Sequence, residues 1–265
     1  MRSYLILNMR SMNSLPLMEP WLQREHAPEI IGMNGPILDR YTSYRAIPAP
    51  TGAEPYGYYN WRMTEHWWRE SPFRGHGQMD QGTAFAETWP PNYTNILGLP
   101  EGEARSDKWG GTPDGRHPPV MMFVNRRPDN DFHGKGLLMG DGTVIRWVMA
   151  IKYPEGVSKE EGEDWYLNTH APEVCKQPGL KRFYSYKKIA PFTTQFDRVS
   201  ELWYENTDAW THAVVTNPPN YTKPAWAKYD QYPFLEPYVD FISTFLLESP
   251  TNDFLRDWRG YIQTA

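Results

Sequence analysis

The stretch Glu19–Ile30, EPWLQREHAPEI, reads as the end of an amphipathic helix. It returns as EDWYLNTHAPEV at Glu163–Val174, with Trp21 and Trp165, His26 and His170, and Pro28 and Pro172 each 144 residues apart. Other matches follow in the same order. RYTSYRAI (40–47) answers RFYSYKKI (182–189), and TEHWW (64–68) answers SELWY (200–204). PPNYT (90–94) recurs at 218–222, and PDNDF (128–132) answers PTNDF (250–254). The offset shrinks steadily, so an ancestral unit was duplicated and the first copy gained insertions. The expected division is 1–138 and 139–265.

Each copy reads as the same series of elements. SYLILNM and VIRWVMAIKY are first strands, rich in apolar and β-branched residues. The Trp-His helix follows, and Pro28 and Pro172 are expected to stop it. YTSYRAI and FYSYKKI are second strands; NWRMTEHWW and RVSELWY are third strands. A short helix then starts near Asp80 in one copy, and in the other near Thr207 or Asp208, each read as an N-cap. VMMFVNRR and YVDFISTFLL close the two units. The order β-α-β-β-α-β, twice, predicts an α+β fold of two tandem ferredoxin-like repeats. Each antiparallel sheet needs a cover on its open face. The two sheets supply one another's, as an intramolecular α+β barrel with helices outside.

Composition narrows the function. The 265 residues carry a net charge of -5 with no basic stripe, which argues against nucleic acid. No apolar run approaches membrane-spanning length, and one Cys excludes an intrachain disulfide framework. A cytoplasmic protein is expected. Aromatics make up 15% of the chain, with 12 Trp and 17 Tyr, which suits both a packed core and an aromatic-lined ligand site.

The segments DWYLNTHAPEVCKQPGLKRFYSYKK and FDRVSELWYENTDAWTHAV resemble the EthD family of the dimeric α+β barrel superfamily. The resemblance lies in Trp165, His170, Pro172, Gly179, Leu180, Arg182, Glu201 and Trp203. The first half is similar through Trp21, His26, Pro28, Arg40, Tyr41, Glu65 and Trp67, but IGMNGPIL replaces the Pro-Gly-Leu turn. The resemblance implies cyclases, dehydratases, decarboxylases, lactone isomerases, cofactor-independent monooxygenases or haem enzymes, mostly acting on aromatic or phenolic molecules.

The candidate catalytic residues are His26, His170, Glu65 and Glu201. Imidazole transfers protons near neutral pH. A strand carboxylate between bulky neighbours is expected to have a raised pKa and to pair with the helix His or act as a base. The ordinary alternative is a structural His–Glu or Arg–Glu bond. Candidate substrate contacts are Arg62 and His66, which share a strand face and could receive a carboxylate, with Tyr44, Tyr186, Trp67 and Trp203. Extra polar residues in the first copy (Arg69, Arg74, His76, Arg105, Lys108, Arg116, His117) point to the first half as the site. No metal-ligand spacing, phosphate loop or nucleophile elbow is present, so no metal or cofactor is expected.

The expected function is a cofactor-independent lyase, of decarboxylase or dehydratase type, acting on an aromatic or phenolic small molecule. An oxygenase or haem enzyme and a non-catalytic aromatic-binding protein are the alternatives. Expected partners are that small molecule and a second copy of the chain.

Overall fold

The computed structural model describes residues 1–74, 78–79, 119–137, 144–189 and 194–256. The helix expected near Asp80, the first PPNYT, and the candidates His76, Arg105, Lys108, Arg116 and His117 lie outside them.

In the first half, β1 (Arg2–Leu7) leads into α1 (Leu15–Trp21), a π-helical turn (Leu22–His26) and α2 (Ala27–Asn34). Strands β2 (Leu38–Arg45) and β3 (Arg62–Trp68), a short β4–β5 hairpin (Phe73–Arg74, Gln78–Met79), β6 (Val120–Val124) and β7 (Asn130–His133) follow. In the second half, β8 (Ile145–Ile151) leads into α3 (Lys159–Trp165), a π-helical turn (Tyr166–His170) and α4 (Ala171–Val174). Then come β9 (Arg182–Lys187), β10 (Arg198–Tyr204), α5 (Thr207–Thr211), β11 (Phe241–Leu247) and β12 (Asn252–Asp253). No helix among the described residues is long and apolar enough to cross a membrane.

The two sheets have matching strand orders, β6-β1-β3-β2-β12 and β11-β8-β10-β9-β7. The first four strands of each are the antiparallel ferredoxin-like set. The sheets meet at two seams that mirror each other. Ile47 N–H donates to Phe245 O at 2.9 Å, and Ile189 N–H donates to Phe123 O at 2.9 Å. The result is the expected α+β barrel.

Period-two alternation sorts the side chains into three layers. Tyr4, Met63, Val148, Trp203 and Ile242 share the barrel interior. Trp21, Ala27, Tyr41 and Trp68 pack between the first sheet and its helices. Trp147, Trp165, Trp210 and Phe245 pack between the second sheet and its helices.

The repeated PDNDF and PTNDF segments gain a role here. Each forms the fifth strand of the other half's sheet: β7 pairs with β9, and β12 with β2. Each also supplies an Asn to a buried clamp. Arg62 donates from Nε and Nη2 to Glu19 (3.0 and 2.5 Å), and from Nη1 to Ser43 and Asn252 (both 3.1 Å). Arg198 repeats the set with Glu163 (both 2.6 Å), Ser185 (3.1 Å) and Asn130 (3.0 Å). One guanidinium thus ties the helix, its own sheet and the exchanged strand together. Five donors in a planar fork suit Arg to this task.

Two local expectations are corrected. Pro28 and Pro172 do not stop their helices: α2 and α4 run through them. The π turn just before is the reason. Ala27 N–H reaches back to Leu22 O, and Ala171 N–H to Tyr166 O. The widened turn lets a proline, which has no N–H to offer, enter the first turn of the next segment. The cap of α5 is Asn206, whose side chain accepts from Ala209 N–H at 2.8 Å, rather than Thr207 or Asp208.

The two helix layers are filled differently. Met9 and Met18 are buried in the first; at the same offset of 144 the second has Tyr153 and Gly162. A Cβ on Gly162 would stand 2.3 Å from the Tyr153 ring. Gly162→Ala should therefore lower stability by about 1–3 kcal/mol, although Ala is the better helix former. Denaturant unfolding of that variant measures it, and a gain in stability would contradict the packing described.

Candidate active site

The sequence-derived candidates separate into three places. Glu65, Glu201, Tyr44, Tyr186, Trp67 and Trp203 line the barrel interior. Arg62, His26 and His66 lie in the first helix layer, and His170 in the second. Glu65 and His66 face opposite ways, as strand alternation requires.

Inside the barrel, Glu65 and Glu201 hold equivalent register positions, facing Tyr4 and Thr42 in one sheet and Val148 and Tyr184 in the other. They close a ring of charge with Arg2 and Arg146. Arg146 contacts Glu65 at 2.7 Å and Glu201 at 2.8 Å; Arg2 contacts Glu65 at 2.9 Å and Glu201 at 3.8 Å. Tyr4 and Tyr184 donate their hydroxyls to Glu201 at 2.6 and 2.7 Å. Arg2 donates to the Tyr186 hydroxyl at 2.5 Å and lies 4.3 Å from the centre of the Trp67 ring. Arg146 lies 4.6 Å from the centre of the Tyr44 ring.

The pairing of a strand Glu with a helix His does not form, because the sheet stands between them. The raised Glu65 pKa is also corrected. Burial pushes it up, but the Arg2 and Arg146 charges and hydrogen bonds outweigh burial and hold it down at about 2. Arg2, Arg146, Tyr4 and Tyr184 were missed by sequence reasoning. A signal existed for the two arginines, which stand 144 residues apart like the repeated histidines.

Arg62 is corrected as well. It shares a face with His66, but it is buried and four of its five N–H donors are engaged by Glu19, Ser43 and Asn252, so it serves the clamp instead of standing open to a substrate carboxylate.

The first helix layer brings two histidines together. His26 ends the π turn, half-buried, its ring 4.7 Å from that of Trp21. His66 projects from β3 toward the same helices, 4.6 Å from the ring of Tyr41 and 5.5 Å from that of Trp68. Burial lowers the His26 pKa to about 4, against a small upward pull from Glu29. Burial, with repulsion from His26, lowers that of His66 to about 3. Both rings are neutral at physiological pH. His26 Nδ1 is buried and meets no hydrogen-bonding partner among the described residues.

His170 sits in the register-equivalent place to His26 but differs in surroundings. It is buried at 2% exposure and stacks on Tyr232 with ring centres 5.7 Å apart and planes 6° from parallel. Leu202 stands where the first half has His66. Burial, with Arg198 adding to it, lowers the His170 pKa to about 3.

The two buried neutral imidazoles, His66 and His170, set a pH dependence. In the unfolded chain each takes a proton below about pH 6.5, whereas the folded protein refuses it until about pH 3. Between those limits the unfolded chain binds more protons, so stability falls as pH falls, by about 1.4 kcal/mol per unit for each fully buried His. His170→Phe should make this slope shallower by about 1 kcal/mol per pH unit. Denaturant midpoints from pH 7 down to about 4 test it, and an unchanged slope would contradict the burial described.

Among comparisons with known proteins, a family model described as the chalcone isomerase N-terminal domain matches residues 1–101, the part holding His26 and His66. A search of curated proteins found no match. Similar solved structures include an EthD family protein from Bacillus halodurans, 25% identical, with 28% of this chain and 74% of that one covered and a TM-score of 0.25. An anthrone oxidase-like protein is 11% identical, with 95% and 91% covered and a TM-score of 0.46. A mutant chlorite dismutase from Candidatus Nitrospira defluvii is 11% identical, with 97% and 94% covered and a TM-score of 0.42.

Proposed function

We propose that the chain is an acid–base enzyme of lyase or isomerase type. Its substrate is an aromatic or phenolic small molecule bound in the helix layer of the first half. The observation that carries this reading is the His26–His66 pair. Two neutral imidazoles share one aromatic-walled layer, while the equivalent layer of the second half has Leu202 and a stacked, buried His170. The match of residues 1–101 to a chalcone isomerase domain supports it.

In this reading His26 takes a proton from a phenol or from carbon next to a carbonyl. The conjugated substrate spreads the resulting charge, which makes a cofactor unnecessary. Partial burial disfavours the His26 imidazolium, so it returns the proton promptly, to a different atom of the substrate or to a leaving group. Trp21 and Tyr41, whose rings lie against His26 and His66, make the walls beside the two imidazoles aromatic. Decarboxylation loses its support with the engagement of Arg62, and proton transfer within the substrate or loss of water fits better. Glu65, Glu201 and His170 serve the architecture.

Incubation with a hydroxychalcone and a panel of phenolic acids tests this. Turnover of at least one, undiminished by a chelator and accompanied by deuterium uptake from heavy water, is expected. Absence of both turnover and exchange across the panel would contradict it.

A further inference from the structure

We infer that His66 acts in this site as a fixed hydrogen-bond donor, presenting Nε2–H to a phenolic or carbonyl oxygen of the substrate. The inference rests on the function proposed above and assigns the group that recognises the substrate oxygen.

The argument begins at Ser3. Ser3 lies directly opposite His66 in the β1–β3 register and is fully buried. Trp68 Nε1 stands 3.1 Å from Ser3 Oγ. An indole can only donate, so Oγ accepts this bond. The hydroxyl keeps one hydrogen of its own. His66 Nδ1 is 3.1 Å away, and no other side-chain partner of Oγ exists among the described residues. A buried hydroxyl hydrogen goes to the acceptor present, so Ser3 donates to Nδ1. A neutral imidazole that accepts at Nδ1 carries its hydrogen at Nε2. The chain Trp68 Nε1–H to Ser3 Oγ–H to His66 Nδ1 thus selects one tautomer, and the Tyr41 ring alongside restrains the imidazole.

Among the described residues the one side-chain hydrogen bond of His66 is that at Nδ1, and Nε2–H makes none. A donor held in place and left open is what a site needs where negative charge develops on a substrate oxygen. The second half makes the contrast. At the same register positions it has Trp147, Leu202 and Tyr204, all in its apolar core, and none repeats the relay. A layer that needed only packing would not require Ser, His and Trp to be linked this way.

Long-range proton–nitrogen correlation spectra of the full-length protein at neutral pH read the tautomer directly. The expected result for His66 is an unprotonated Nδ1 and a protonated Nε2; in Ser3→Ala this preference should weaken. A His66 protonated at Nδ1 would overturn the inference while leaving the proposed function standing. The second arm is titration with 4-nitrophenol as its phenolate, read by its visible absorbance. His66→Leu, which copies the second half, should weaken binding by about 10-fold or more, as expected for loss of a hydrogen bond to a charged oxygen. Unchanged affinity in a folded His66→Leu protein would overturn the inference. Absence of binding by the unsubstituted protein would overturn the proposed substrate placement, and this inference with it.

Discussion

Glu201→Ala should be the most damaging single substitution in the barrel, costing about 3–5 kcal/mol. Glu201 accepts from Arg146 at 2.8 and 3.0 Å, from Tyr4 at 2.6 Å and from Tyr184 at 2.7 Å, at no exposure to solvent. Its removal leaves two arginines against one carboxylate and strands two phenol hydroxyls. Uncompensated charge in so dry a space has no water to turn to. Arg146 Nη1 and Arg2 Nε already lack partners among the described residues, so the ring has no slack to take up the loss. Glu201→Gln keeps the shape and some of the hydrogen bonds and should cost less than the Ala variant. Thermal melts should fall by about 10 °C for Glu201→Ala, given the usual few degrees per kcal/mol in a protein of this size. A change below about 1 kcal/mol would show that the ring is not closed as described.

The second large effect is an asymmetry between the two repeated histidines. His26→Ala should lower kcat by about 10²-fold or more, with a smaller change in melting temperature than at His170, because His26 is only half-buried. His170→Ala should do the reverse. It removes a ring packed among Trp165, Tyr166 and Tyr232, with centres 4.9, 5.1 and 5.7 Å away, and should destabilise by about 2 kcal/mol with catalysis preserved. His170→Phe should restore most of the stability. Kinetics and melts on the three variants separate the roles; equal loss of turnover in both Ala variants would mean two working sites.

Some of this is legible in the residues and some is not, for physical reasons. Alternation alone puts Met63, Glu65 and Trp67 on one face and Arg62, Thr64 and His66 on the other, so the separation of Glu65 from His66 follows from the strand. The barrel follows from two sheets each needing a cover. Alternation does not say which face turns toward the helices, and that is why Arg62 reads as a substrate ligand until Glu19 is seen beside it. Glu19 opens the repeated stretch and Glu163 opens its copy, yet only folding brings them to Arg62 and Arg198, 43 and 35 residues on. The exchange of β7 and β12 between sheets is a long-range pairing of four and two residues, too short for any periodic signal. Pro28 and Pro172 read as helix stops because a π turn has no residue signature. Arg2 and Arg146 obey the repeat offset but sit at the ends of apolar strands, where a charge looks like a boundary and not a barrel lining.

The measurement that bears most directly on the proposed site is a titration of the protein with a hydroxychalcone, followed by the imidazole resonances. Binding in the first helix layer predicts saturable shifts of His26 and His66 together, with His170 unmoved behind its stack on Tyr232. Shifts confined to His170, or saturable binding that leaves His26 and His66 unchanged, would contradict it.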